Sequence, residues 1–139
     1  MTVMYDWAPP DGVEVLIKWL SYLGETRDAR PSGEVLPYRM VHRIDGGDDG
    51  ITDSGEYSIH TFAAKKPEAQ EEAMKTHRRL YALAGRFAGQ QKVALDSGLI
   101  VVADDIETIE GPRWVQWDDR NSIHRYVGTY RVDFRFVAA

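Results

Sequence analysis

The stretch Ile123-His-Arg-Tyr-Val-Gly-Thr-Tyr-Arg-Val-Asp-Phe-Arg-Phe-Val-Ala-Ala139 decides the fold. Tyr126, Tyr130, Val132, Phe134 and Phe136 fall on one side of its alternation, and Arg125, Thr129, Arg131, Asp133 and Arg135 on the other. Successive strand side chains point to opposite faces, so this spacing predicts one long β-strand with an aromatic wall backed by an arginine-rich one. From Tyr126 to Phe136 such a strand reaches roughly 36 Å, about twice the ordinary length. The aromatic side is expected to pack beneath helices and make the core. The arginine side finds no acidic complement in the chain beyond one loop, which points to a subunit interface.

The residues upstream read as helices and strands in an α+β order. Pro9-Pro-Asp-Gly12 is a start signal, and Val13, Leu16, Ile17, Leu20 and Leu23 then keep helical spacing up to Gly24. Pro37 to Ile44 reads as a strand with both faces partly covered. Asp45 to Gly55 reads as a long glycine and aspartate turn, and Glu56 to Ala63 returns from it to close a hairpin. Pro67 to about Ala88 is the clearest helix, with acids early and bases late as the helix dipole favours. Its expected buried stripe is Ala69, Ala73, His77, Leu80 and Ala84, continued by Phe87 or Ala88, with Leu83 beside it. Leu99 to Ile109 is a third extended region, Gly111-Pro112 is expected to break it, and Arg113 to Trp117 is a short strand. Asp118 to Ser122 forms the turn into the closing strand. The expected fold is therefore α+β, one domain over residues 1–139, with two helices on an antiparallel or mixed sheet in the order α-β-β-α-β-β-β.

Composition narrows the function classes. The chain has 139 residues, 43% hydrophobic and 28% charged, which is the range of a folded domain. It has no cysteine, so disulfides, thiolate metal sites and a cysteine nucleophile are excluded. The N-terminus has neither the basic start nor the apolar run of a signal peptide, and no window is apolar enough for a membrane span. Net charge is −5, unevenly spread: Asp45, Asp48, Asp49, Asp53 and Glu56 crowd one segment without a base. The closing strand carries Arg125, Arg131 and Arg135 against Asp133 alone. Such a chain can meet a second copy of itself, acidic loop to basic face, and is ill suited to gripping nucleic acid.

No catalytic, cofactor-binding or metal-binding set emerges. His42, His60, His77 and His124 show no metal-ligand spacing, although His42 and His60 can face each other across the hairpin. The Asp45 to Asp53 loop lacks the alternating ligands and closing glutamate of a calcium loop. Strict alternation puts Asp105 and Glu107 on one face and Asp104 on the other, which separates the adjacent aspartates. No phosphate-binding glycine loop and no nucleophile elbow occurs. Trp7, Trp19, Trp114 and Trp117, with seven tyrosines, serve either a core or interfaces between copies.

Three local patterns resemble the tail terminator family of long-tailed bacteriophages, the actinobacteriophage type especially. They are Tyr38-Arg-Met-Val-His-Arg-Ile-Asp-Gly-Gly with its acidic loop and Tyr57-Ser-Ile-His-Thr-Phe; the helix opening Lys66-Pro-Glu-Ala-Gln-Glu-Glu-Ala; and Glu110-Gly-Pro-Arg-Trp, followed by Asp118-Asp-Arg-Asn and Arg125-Tyr-Val-Gly-Thr-Tyr-Arg-Val. The resemblance covers nearly the whole chain. It implies a non-enzymatic virion protein, assembled in the host cytoplasm, that forms a ring, usually a hexamer, at the head-proximal end of the tail. Such a ring ends polymerisation of the tail tube protein and joins the tail to the neck or head-to-tail connector. Genome DNA passes through its lumen without specific binding, and no cofactor or membrane is involved. The candidate interface or lumen residues are Asp45, Asp48, Asp49, Asp53, Glu56, Arg125, Arg131 and Arg135. The alternatives are another neck or tail-completion subunit, and a small enzyme or ligand binder similar to the cone-shaped nuclear transport factor 2-like fold.

Overall fold

Two hairpins of long strands frame the molecule. The computed structural model describes residues 7–29, 35–85, 89–118 (backbone alone from 116) and 123–138. In chain order the elements are β1 (Trp7–Ala8), α1 (Gly12–Leu20), β2 (Glu25–Arg27), β3 (Tyr38–Asp48), β4 (Thr52–Ala63), α2 (Lys66–Leu83), β5 (Lys92–Ala94), β6 (Ile100–Asp118), β7 (Ile123–Arg135) and β8 (Val137–Ala138). Six strands form a sheet in the order β2-β3-β4-β7-β6-β5, and β1 pairs with β8. Only β2 and β3 run parallel; the other neighbours are antiparallel. This is the expected α+β class, with a mixed sheet carrying two helices.

The closing strand alternates as its sequence dictates. Tyr126, Tyr130, Val132, Phe134 and Phe136 are buried, while Val127, Thr129, Arg131 and Asp133 between them are part-exposed and Arg135 is exposed. Tyr130, Val132 and Phe134 pack with Val15, Leu16 and Leu20 of α1 and with Leu80 and Leu83 of α2, so both helices cover this face. Among the described residues no helix covers the opposite face, which bears the arginines. The Asp11 side chain accepts the Glu14 amide at 3.2 Å and caps α1. Pro67 occupies the first turn of α2, where its missing N–H costs nothing.

Four expectations change. The Asp45 to Gly55 segment is mostly ladder: pairing continues to Asp48 opposite Asp53, and residues 49–51 alone make the tip. The Asp49 carboxylate closes that tip by accepting the amides of Ile51 and Thr52 at 2.9 and 2.8 Å. Gly111-Pro112 does not end the strand either. β6 runs through it as a bulge, because β7 is long enough to resume pairing at Arg113 opposite Val127. In α2 the buried stripe takes Thr76, and His77 is half-buried with its Nδ1 2.8 Å from the Tyr130 hydroxyl. The helix also stops earlier than expected, at Leu83, followed by Gly85 with φ of +86°. Phe87, Ala88 and the Asp119 to Ser122 part of the last turn lie outside the described residues.

Candidate subunit interface

The five acids of the β3–β4 hairpin do not form one surface. Asp45, Asp48 and Asp49 are exposed at or near the tip. Their carboxylates accept backbone amides of the turn: Asp45 that of Gly46 at 2.7 Å, Asp48 that of Gly50 at 3.0 Å. Hydrogen bonds from Thr52 and Ile51 hold the Asp49 carboxyl below its ordinary pKa. Asp53 points to the helix side, is 2% exposed, and takes both arms of Arg43 at 2.7 and 2.8 Å. Glu56 is half-buried and stands opposite Arg131 in register. Alternation along β4 turns Glu56 to the face opposite Asp53, whereas Asp48 stands opposite Asp53 in register and is exposed because it lies at the end of β3.

The arginines divide as well. Arg131 pairs with Glu107 and Arg135 with Asp104, both on the adjacent strand β6. Strict alternation separates Asp104 from Glu107, but β6 carries an irregularity between Ala103 and Asp105. Asp104 is the extra residue there, which puts it on the same side as Glu107. The arginine wall therefore has acidic partners within its own chain, contrary to the sequence expectation. Asp104 raises the Arg135 pKa by hydrogen bonding and charge.

Arg125 differs. Among the described residues its Nε is buried without a hydrogen-bond partner, and burial together with the nearby Arg113 charge lowers its pKa. It sits opposite Phe62, with Thr52 opposite Arg135 at the far end of the same ladder. Nine residues separate Phe62 from Asp53, so Arg125 lies about 30 Å along the strands from the acidic tip. It cannot meet that tip within one chain. Beside Arg125, the rings of His42 and His60 are 5.6 Å apart. Burial, then the charges of Arg125 and His42, pull the His60 pKa down to about 4. The Ser58 hydroxyl is 2.8 Å from His60 Nε2, and His42 Nε2 is 2.9 Å from the Asp28 carbonyl oxygen. Among the described residues no group of three His, Asp or Glu is placed to hold a metal. Nor is any helix there long and apolar enough to cross a membrane.

No protein-family model matches this chain, and no curated protein does. Among solved structures, it is similar to a chain of a structure described as the virion of a native gene transfer agent particle. The two are 14% identical with a TM-score of 0.44, over 87% of this chain and 84% of that one.

Sequence reasoning misses the sheet's edges. β2 covers only Tyr38 to Met40 of β3, and β5 covers only Ile100 to Val102 of β6. Most of both long strands therefore has no strand neighbour on its outer side among the described residues. Nothing in the local sequence announces this, because it depends on which strands end up outermost.

Proposed function

We propose that this protein is a structural virion component, the tail terminator of a long-tailed phage. In this reading copies join head to tail in a ring at the head-proximal end of the tail, contacting the tube protein on one side and the neck or connector on the other. The observation that carries the reading is the unlike pair of outer edges, β3 on one side of the sheet and β6 on the other. A ring needs such heterologous contacts, because each copy must offer a neighbour two different surfaces. The sequence patterns of both hairpins and of α2 add the family.

The acidic tip and Arg125 fit this reading at opposite ends of the strands. Within a flat ring they belong to opposite rims, where they favour neighbours above and below over the adjacent copy. Negative charge at one rim also repels phosphate and keeps passing DNA from sticking. No catalytic role is assigned to any residue.

Light scattering of the purified protein tests the ring, since each copy contributes 15.8 kDa. A mass several times that value is expected, alone or with the tube protein. Electron microscopy of tube assembly with and without the protein tests the terminator role. Tubes of unlimited length, with no density at either end, would overturn it.

A further inference from the structure

Both long strands carry exposed apolar residues where edge strands normally carry charge: Ile44 on β3, and Ile100, Ile109 and Trp114 on β6. Ile44 on β3 is 55% exposed and Ile109 on β6 is 46% exposed. Each is the extra residue of a β-bulge: Ile44 falls in the shift between Arg43 and Asp45, and Ile109 in the shift between Thr108 and Glu110. Bulges re-aim side chains, and exposed apolar edges invite pairing with another chain.

The protected parts of both edges stop just short of these residues. On β6, Gln90 Nε2 donates to the Ala103 carbonyl oxygen at 2.8 Å, and the Thr108 amide donates to the Tyr81 hydroxyl at 3.1 Å. Ile109 is the next residue. On β3, pairing with β2 ends at Met40 and the Asp28 carbonyl reaches the His42 ring, two residues before Ile44.

The two isoleucines lie close in height, one residue step to either side of a common row and so about 7 Å apart along the strands. Arg43 is opposite Tyr57, Tyr57 opposite Tyr130, and Tyr130 opposite Thr108, making one row across four strands. Ile44 follows Arg43 on one side of that row, and Ile109 follows Thr108 on the other. A rotation about an axis along the strands, with no rise, brings the β6 edge of one copy beside the β3 edge of the next. Since β3 and β6 run in opposite directions within a copy, they meet antiparallel between copies.

We infer that Ile109 of one copy packs diagonally against Ile44 of the next, making the apolar centre of an edge-to-edge contact between β6 and β3. This rests on the ring reading above. It names the surface and the partner, a second copy of this chain.

The absence of cysteine gives a clean background for cross-linking. Two single variants, Ile44→Cys and Ile109→Cys, are prepared separately, oxidised alone and mixed, with a short bis-maleimide as a second linker. Covalent dimers are expected only in the mixture, and the double variant should give a ladder up to the full ring. Ile44→Asp and Ile109→Asp should each raise the concentration at which assemblies dissociate by about tenfold or more. Circular dichroism should show both aspartate variants folded, since both positions are exposed.

Cross-linking of Ile109→Cys with itself would overturn the proposal in favour of a two-fold contact. Intact rings without cross-links, or rings indifferent to both aspartates, would overturn it and leave the ring reading standing. A monomer at every concentration, with and without tube protein, would sink the ring reading itself.

Discussion

Arg39 is fully buried and its Nη2 donates to Glu72 Oε2 at 2.6 Å, which bolts β3 to the middle of α2. Arg39 Nε also donates to the Thr76 hydroxyl at 2.6 Å, and Nη2 to the Glu72 carbonyl oxygen at 3.1 Å. One guanidinium thereby ties together two elements far apart in sequence. Thr76 is buried where its hydroxyl accepts from this arginine, while His77 is half-buried against Tyr130.

Removing one member of that pair strands the other. Glu72→Ala should lower the unfolding free energy by about 3 kcal/mol, measured by urea titration, because a buried guanidinium loses its counter-charge. Burial opposes the Glu72 carboxylate, yet the hydrogen bonds from Arg39 and Lys75 outweigh it and hold its pKa below the ordinary value. Its contribution is thus present above the unfolded-state pKa and fades as pH falls through the folded one. Glu72→Gln should flatten the acid limb of the stability curve. An unchanged limb would show that other carboxylates govern it.

Gly12 opens α1 where no side chain fits. A Cβ there would lie 1.8 Å from the Tyr57 hydroxyl oxygen and 2.7 Å from Tyr57 Cζ. Gly12→Ala should cost about 2–3 kcal/mol through overpacking. Tyr57→Phe in the same chain should recover part of that loss, since it removes the nearest atom. Thermal denaturation of the two single variants and the double variant measures the coupling.

His60 makes folding sensitive to mild acid. Its folded pKa of about 4 lies below the ordinary 6.5, so the unfolded chain binds the extra proton first. Stability from this group is complete above pH 6.5, falls between 6.5 and 4, and changes no further below. The size is about 1–2 kcal/mol once solvent screening of a half-buried ring is allowed for. His60→Gln should remove that slope in denaturant titrations across the window. If the slope survives, His60 is not its source.

The hairpin acids separate by role. Asp53→Asn leaves Arg43 without its carboxylate and should cost about 2–3 kcal/mol in thermal or urea unfolding. Asp45→Asn and Asp48→Asn, at exposed positions, should change stability by less than about 0.5 kcal/mol. Asp45 and Asp48 are therefore the positions at which to alter the tip charge and follow assembly or infectivity. Equal destabilisation by all three substitutions would show that the tip acts as one unit.

Alternation and punctuation along the chain determined much of this protein. They set the long closing strand and its buried aromatic side, the two helices with their starts, the β3–β4 hairpin, and the α+β class. These are local properties, because a period of two or of 3.6 residues is written into neighbouring side chains. The tertiary structure decided what depends on register and neighbours. It carried β6 through Gly111-Pro112, since a long partner strand can absorb a bulge. It gave Arg131 and Arg135 partners on β6, because an extra residue at Asp104 turned that side chain outward. It buried Asp53 under Arg43 and left Asp48 in solvent. It also left most of the outer sides of β3 and β6 without a strand neighbour among the described residues, with Ile44 and Ile109 close in height. A single strand's sequence does not encode which strand lies beside it, so the edges on which assembly would depend were legible only in the folded sheet.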